Sequence, residues 1–399
     1  MKVLFVCNKS PWPPKEGGPI AMNNFIEGLI DRGHKVKVLA AITNKYSINL
    51  TDVPEPYRKK TGLELAFINL QIKPVKALFN LFTTKSYHVE RFISAAFKKK
   101  LIDILKKESF DIVQIEMLYM SPYLEIIRKY STAKVVLRAH NIEHIIWKRV
   151  AIEETNLPKK LYLRHLANTL EKYERTVLNQ YDGIIPITRK DSMFFSNETD
   201  VPVEPISFGV DFNKIPFHSD VVPEHALFHI GSMNWIPNIE GVKWFLNDVW
   251  PNVSKQFPKL NIYLAGRETP DWLKNIELKN VNVLGEVSDA YAFMKSKTIS
   301  VAPLFSGSGI RIKIIESMAM GKAVIATSIG AEGINYTNGK NILIADTAKE
   351  FVKAIKKLYK DKKLALTIGQ NARELVQKEH NIKETAKQLE TFYNKLLSS

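Results

Sequence analysis

Residues 2–40 open with Lys2-Val3-Leu4-Phe5-Val6-Cys7, an apolar run followed by a loop rich in Pro and Gly that ends in Gly17-Gly18-Pro19. Helical spacing then runs from Ala21 to Arg32, and a second run reads Lys35-Val36-Lys37-Val38-Leu39-Ala40. The order is strand, loop, helix, strand. Arg32-Gly33-His34 puts a glycine where a helix stops on a left-handed residue. This is the opening of a parallel α/β sheet. Working outward, strands are expected at Leu65 to Asn69, Ile112 to Glu116, Lys134 to Arg138 and Gly183 to Pro186, separated by helical stretches. The first half therefore reads as an open doubly wound sheet.

The pattern repeats after the Pro-containing segment Val201-Pro202-Val203-Glu204-Pro205-Ile206. Strands are expected at Ala226 to Gly231, Asn261 to Ala265, Val281 to Leu284, Thr298 to Ala302 and Ala323 to Ala326. Helical spacing fits Ile239 to Asp248, Asp289 to Lys295, Ile312 to Met320 and Ala348 to Lys357. The expected domains are 1–205 and 206–382, with the last helix, in 383–399, packing back on the first. A length of 399 residues suits two such cores, since single cores stop growing near ~250 residues.

Composition narrows the function. The single cysteine, Cys7, excludes an internal disulfide and a cysteine-based zinc site, and a buried thiol is expected. The first apolar run is too short for a signal-peptide core, and no stretch suits a membrane span, so a cytoplasmic protein is expected. The 57 Lys and Arg against 41 Asp and Glu leave +16, which favours polyanions, phosphorylated ligands or anionic lipid without choosing among them. The basic residues are spread and no reading motif appears, so nucleic acid is not an expected partner.

In open α/β sheets ligands bind beyond the carboxyl ends of the strands, which directs attention to three loops. In the first, Gly17 and Gly18 precede a helix, where glycines and free N–H groups suit a diphosphate; taken alone, the pair is better explained by an ordinary turn. The second runs from Phe305 through Ser308, Gly309 and Ile310 into a helix carrying Arg311, Lys313 and Glu316. Backbone N–H groups and the two cations suit phosphate, and Glu316 suits ribose hydroxyls; the alternative is an exposed helix of mixed charge. The third is Leu137 to His144. There His140 could hydrogen-bond a sugar hydroxyl and Glu143 or His144 could orient an acceptor, unless Asn141 simply caps a helix. Asp-x-Asp occurs nowhere, so no metal is expected at a diphosphate, and protein cations must serve instead.

Together these stretches resemble glycosyltransferase family 4. Ile314-Ile315-Glu316-Ser317-Met318-Ala319-Met320-Gly321-Lys322 with Gly330-Ala331-Glu332-Gly333 is similar to its donor-binding helix and the turn beyond. Pro13-Pro14 with Gly17-Gly18, Ser207-Phe208-Gly209-Val210-Asp211, and Gly231-Ser232-Met233-Asn234-Trp235 resemble other stretches of the family, in order. The resemblance implies the GT-B fold, two Rossmann-like doubly wound domains facing across a cleft. It also implies a nucleotide diphosphate sugar as donor, held mainly by the C-terminal domain, and transfer with retention. By position, Glu316 matches the ribose-binding glutamate, His140 the histidine near the donor sugar, and Gly17-Gly18 the diphosphate loop. Ser232, Asn234 and Arg267 join them as donor-side candidates. The first acidic residue of the family's Glu-x7-Glu pattern is replaced by Ser308. The family's basic pair after the first strand of the second domain is also absent, so Arg311 and Lys313 are expected to carry that charge.

A glycan or lipid-linked acceptor is expected on the N-terminal side. Residues 71–110 hold nine Lys and Arg against three Asp and Glu, with aromatics interleaved. That region fits docking on an anionic membrane, and equally fits an ordinary helix with its apolar side in the core. A non-catalytic partner subunit of the same architecture and a sugar-nucleotide epimerase are the other functions compatible with these residues.

Overall fold

The computed structural model describes residues 1–14, 17–72, 79–215, 222–307 and 309–398. The chain divides into two compact units, Met1–Gly209 with Thr385–Ser399, and Val210–Glu384.

The first unit is built on six parallel strands: β1 (Lys2–Cys7), β2 (Lys35–Thr43), β3 (Glu64–Ile68), β4 (Ile112–Glu116), β5 (Lys134–Ala139) and β6 (Gly183–Pro186), in the order β3-β2-β1-β4-β5-β6. Strand β1 is apolar from Val3 to Cys7 because both of its faces are covered. Val3, Phe5 and Cys7 pack with Met22, Phe25, Ile26 and Leu29 of the helix Gly17–Asp31, while Leu4 and Val6 lie in the opposite layer. Leu389, Phe392, Tyr393 and Leu396 complete the first of these layers. Gly183 is small for the same reason, since a Cβ there would sit 2.7 Å from Leu396 and 2.9 Å from Phe392.

In the helix Ala95–Lys107, Phe97, Leu101, Ile104 and Leu105 point into the opposite layer. Its amphipathic pattern is thus that of an ordinary core-facing helix. Lys73 and Lys76 of the same basic region lie outside the described residues.

The second unit repeats the plan with β7 (Glu224–Ile230), β8 (Ile262–Ala265), β9 (Val281–Gly285), β10 (Lys297–Ala302), β11 (Ala323–Ala326) and β12 (Leu343–Ile344), in the order β12-β11-β10-β7-β8-β9. All its pairings are parallel. Its core joins Leu227, Ile262, Ile299 and Ile325 of the sheet to Val242, Trp250, Phe351 and Ile368 of the helices.

Several boundaries differ from the sequence reading. The helix expected over Ile239 to Asp248 is Ile236–Trp244, continued by a wider turn at Phe245–Val249 and then by Trp250–Gln256. The helix Lys362–Glu379 and strand β12 were not anticipated. No helix among the described residues is long and apolar enough to cross a membrane.

Candidate active site

In each sheet the strand order reverses direction once, between β1 and β4 and between β7 and β10. Loops leaving the carboxyl ends of such a pair run to opposite sides and leave a crevice. In the second unit the structure shows how the loops after β7 and β10 are built together. A Cβ on Gly241 would stand 1.9 Å from the carbonyl oxygen of Pro303, so the helix Ile236–Trp244 touches the β10 loop backbone directly. Ser306 Oγ donates to Glu240 Oε2 at 3.0 Å. Gly307 (φ 99°) and Gly309 (φ 75°) take left-handed conformations that other residues avoid, which bends the loop toward Trp235.

Arg311 is buried at the start of the helix Ile312–Ala319. Its guanidinium stacks 5.6 Å from the centre of the Trp235 ring and donates to the Gly309 carbonyl. The structure therefore gives Arg311 a part in holding the loop. Lys313, half-buried, donates to Glu316 Oε2 at 2.7 Å, and Tyr291 OH donates to Glu316 Oε1 at 3.0 Å. Glu316 is itself buried; burial of the Tyr291 hydroxyl, together with the Glu316 charge, pushes that hydroxyl well above its ordinary range. Among the described residues no side chain caps the helix Ile312–Ala319, so its first N–H groups keep their capacity for an anion.

Ser232 Oγ donates to Asn234 Oδ1 (2.9 Å) and Asn234 Nδ2 to Glu268 Oε1 (2.6 Å), tying the β7 loop to the β8 loop. Met233 N donates to the carbonyl of Arg267 at 2.8 Å. Ser232, Asn234, Arg267, Gly309, Ile310, Arg311, Lys313 and Glu316 thus all lie on segments that leave the carboxyl edge of one sheet. Ser308 lies outside the described residues. Trp235, quoted only within a resembling stretch, and Tyr291, in the helix Ala290–Lys295, were not singled out as site residues in the sequence.

In the first unit Gly17 and Gly18 stand inside the first turn of their helix, which begins at Gly17 rather than after Pro19. A proline fits there because first-turn N–H groups have no acceptor within the helix. His140 follows β5, and its Nε2 donates to Glu116 Oε2 at 2.6 Å. Glu116, at the end of β4, is fully buried; Gln114 Nε2 donates to its Oε1 at 2.5 Å, and Tyr393 OH donates to Gln114 Oε1. A carboxylate oxygen accepts a hydrogen bond, so this chain orients the His140 ring through a proton on Nε2. In register beside Glu116 stand Cys7 and Arg138. Burial, reinforced by Glu116, raises the Cys7 thiol, and burial lowers the Arg138 guanidinium to about 10 against the pull of Glu116. Glu116 was also missed, as a lone acid at a strand end gives no pattern in the sequence.

Glu143 and His144 begin the helix Glu143–Glu153, and both backbone N–H groups donate to the buried carboxylate of Glu174 at 3.1 Å. His144 Nδ1 donates to the same carboxylate at 2.6 Å. His144 is therefore held inside the first unit by the Glu174 carboxylate. Glu143 Oε2 accepts from Tyr119 OH at 2.7 Å, and Trp147 Nε1 donates to that hydroxyl at 3.2 Å. Burial, with the Glu174 charge adding to it and the Tyr119 bond opposing it, pushes the Glu143 carboxyl up to about 7.

Residues 224–361 match the family model described as Glycosyl transferases group 1. With the two parallel sheets already described, that domain makes the chain a glycosyltransferase of GT-B fold. A protein described as an uncharacterized 44.6 kDa protein in the cps region of Klebsiella pneumoniae is 23% identical over 398 residues, covering 96% of this chain and 97% of its own. Among solved structures, sucrose-phosphate synthase from Thermosynechococcus elongatus is similar with a TM-score of 0.73 at 16% identity, over 100% of both chains. Anabaena HepE in complex with UDP is similar with a TM-score of 0.68 at 14% identity, over 99% of this chain and 100% of that one.

Proposed function

We propose that this glycosyltransferase moves a sugar from a nucleotide diphosphate donor to a glycan or lipid-linked acceptor in polysaccharide synthesis, with retention at the anomeric carbon and without a metal ion. The observation that carries the reading is Glu316, a buried carboxylate held by Tyr291 and Lys313 beyond an uncapped helix start at the second switch point. A ribose can exchange its hydroxyls for those two donors. The diphosphate would then meet the helix N–H groups and Lys313, with Arg311 keeping the loop in shape. As the sugar–phosphate bond breaks, charge builds on the departing phosphate, and fixed donors there lower the barrier. His140, held by Glu116, serves a sugar hydroxyl, and the leaving phosphate takes the acceptor's proton. The UDP bound by the similar Anabaena protein and the cps region of the Klebsiella relative support donor class and pathway.

Thermal shift of the full chain with UDP, GDP and their sugars, in the presence of EDTA, tests this. A ligand that binds only the folded state at 100 times its Kd adds about 2.7 kcal/mol, which is a readable rise. That rise should vanish in Glu316→Ala. If no nucleotide diphosphate stabilises the protein, the donor reading fails.

A further inference from the structure

At the second switch point the Trp235 side chain is held in place from several sides and still keeps 37% of its surface exposed. Its backbone is pinned first. Trp235 N donates to the Ser232 carbonyl at 3.3 Å, and the Trp235 carbonyl accepts from Asn238 N at 3.0 Å as the helix Ile236–Trp244 begins. The buried side chain of Asn238 donates back to the Ser232 carbonyl at 2.8 Å, which closes the turn.

The ring is fixed as well. Arg311 lies over it at 5.6 Å, and the Gly307 backbone comes so close that a Cβ there would stand 2.9 Å from the indole Cζ2. Arg311 is itself buried, whereas the indole that covers it remains open to solvent. Burying apolar area is favourable, so an indole that served only to hold the loop would gain by being covered too.

Position decides what the open part of this ring can meet. From Glu316 back to Arg311 is five residues, about 7.5 Å at 1.5 Å per residue. In the reading above, a ribose meets Glu316, and the phosphates meet Lys313 and the first N–H groups of the helix. Continuing in the same direction, the next side chains are Arg311 and, stacked on it, Trp235. In a nucleotide sugar the group beyond the second phosphate is the sugar.

We propose that the exposed part of Trp235 packs against the pyranose ring of the donor, which makes Trp235 a specificity-determining residue for the transferred sugar. The C–H groups on a pyranose face suit the apolar, electron-rich face of an indole, and the hydroxyls at its rim stay available to polar partners. Because the ring is already fixed, little freedom is lost when the sugar arrives. The assignment rests on the donor reading of Glu316, and its test separates the two.

The test is titration calorimetry of the full chain with UDP, GDP, UDP-glucose, UDP-N-acetylglucosamine and GDP-mannose, comparing the natural protein with Trp235→Phe and Trp235→Leu. Leucine keeps an apolar cover over Arg311 but has no flat ring; phenylalanine keeps both. Trp235→Leu should weaken binding of the sugar nucleotide about tenfold, while affinity for the diphosphate of the same base stays within about twofold. Trp235→Phe should restore most of the loss.

Equal losses for a diphosphate and its sugar would overturn the proposal, because the ring would then serve the nucleotide or the loop. So would equal losses in the phenylalanine and leucine variants, or a natural protein that binds a diphosphate and none of the three sugars. If the natural protein binds none of the five ligands, the donor reading fails and takes this assignment with it. If it binds sugar nucleotides and Trp235→Leu changes nothing, only the assignment fails.

Discussion

Replacing Glu143 by Gln should make the first unit more stable at neutral pH, and the size of the gain follows from the surroundings of this carboxyl. Its side chain is buried, it accepts the Tyr119 hydroxyl at 2.7 Å, and the Glu174 carboxylate lies against the same helix start. Burial first, and then the neighbouring charge, raise its pKa from the ordinary 4.5 to about 7. A raised folded-state pKa means that the fold prefers the protonated acid. Its contribution is fully present below the unfolded value, and it is lost as pH climbs through the folded one. The rise from 4.5 to about 7 is about 2.5 units. At roughly 1.4 kcal/mol per unit, about 3 kcal/mol disappears between about pH 4.5 and pH 7. Glutamine is neutral throughout and keeps an oxygen for Tyr119. The variant should therefore match the natural protein near pH 4.5 and exceed it by about 3 kcal/mol near pH 8. Urea unfolding across that range, followed by fluorescence, measures the difference, with Trp147 in the same cluster as a local reporter. Two pH profiles running parallel would refute the reasoning, because Glu143 would then not be titrating in that window.

Two further outcomes follow from close contacts. Gly241→Ala would set a methyl 1.9 Å from the Pro303 carbonyl. Overpacking of this kind costs about 1–3 kcal/mol, so the melting temperature should fall, and nucleotide affinity with it as the β7 and β10 loops separate. Glu116→Gln keeps the shape but removes the charge that fixes His140. Loss of a charged hydrogen bond worth about 1.5–3 kcal/mol should lower kcat roughly tenfold to hundredfold, with nucleotide-induced stabilisation unchanged. An unaltered kcat would remove Glu116 from its positioning role.

The sequence disclosed those parts of the fold whose pattern is local and repeated. Strand β1 reads as a strand because all of Val3 to Cys7 is apolar, and Arg32-Gly33-His34 marks the helix end. Strand β12, two residues long, offers no period to detect. The helix Lys362–Glu379 contains Gly369, a weak helix former kept there because its Cβ would lie 2.0 Å from the Gly321 carbonyl, a contact no local window contains. The site divides in the same way. Glu316 stands in a motif, whereas Glu116 acquires meaning only through His140, 24 residues away, and through Tyr393, on the last helix. Arg311 could be seen as a cation, but its stacking on Trp235, 76 residues earlier, could not be seen as a contact.

The position of Leu389, Phe392, Tyr393 and Leu396 against Val3 and Phe5 constrains biosynthesis. The first strand leaves the ribosome hundreds of residues before the segment that covers one of its faces, so a bare apolar surface persists while the whole second unit is translated. Chaperone demand should thus concentrate on the emerging chain. A polypeptide truncated before residue 385 would carry that exposed surface permanently, and the hydrogen bond from Tyr393 that steadies Gln114 beneath Glu116 and His140 would never form.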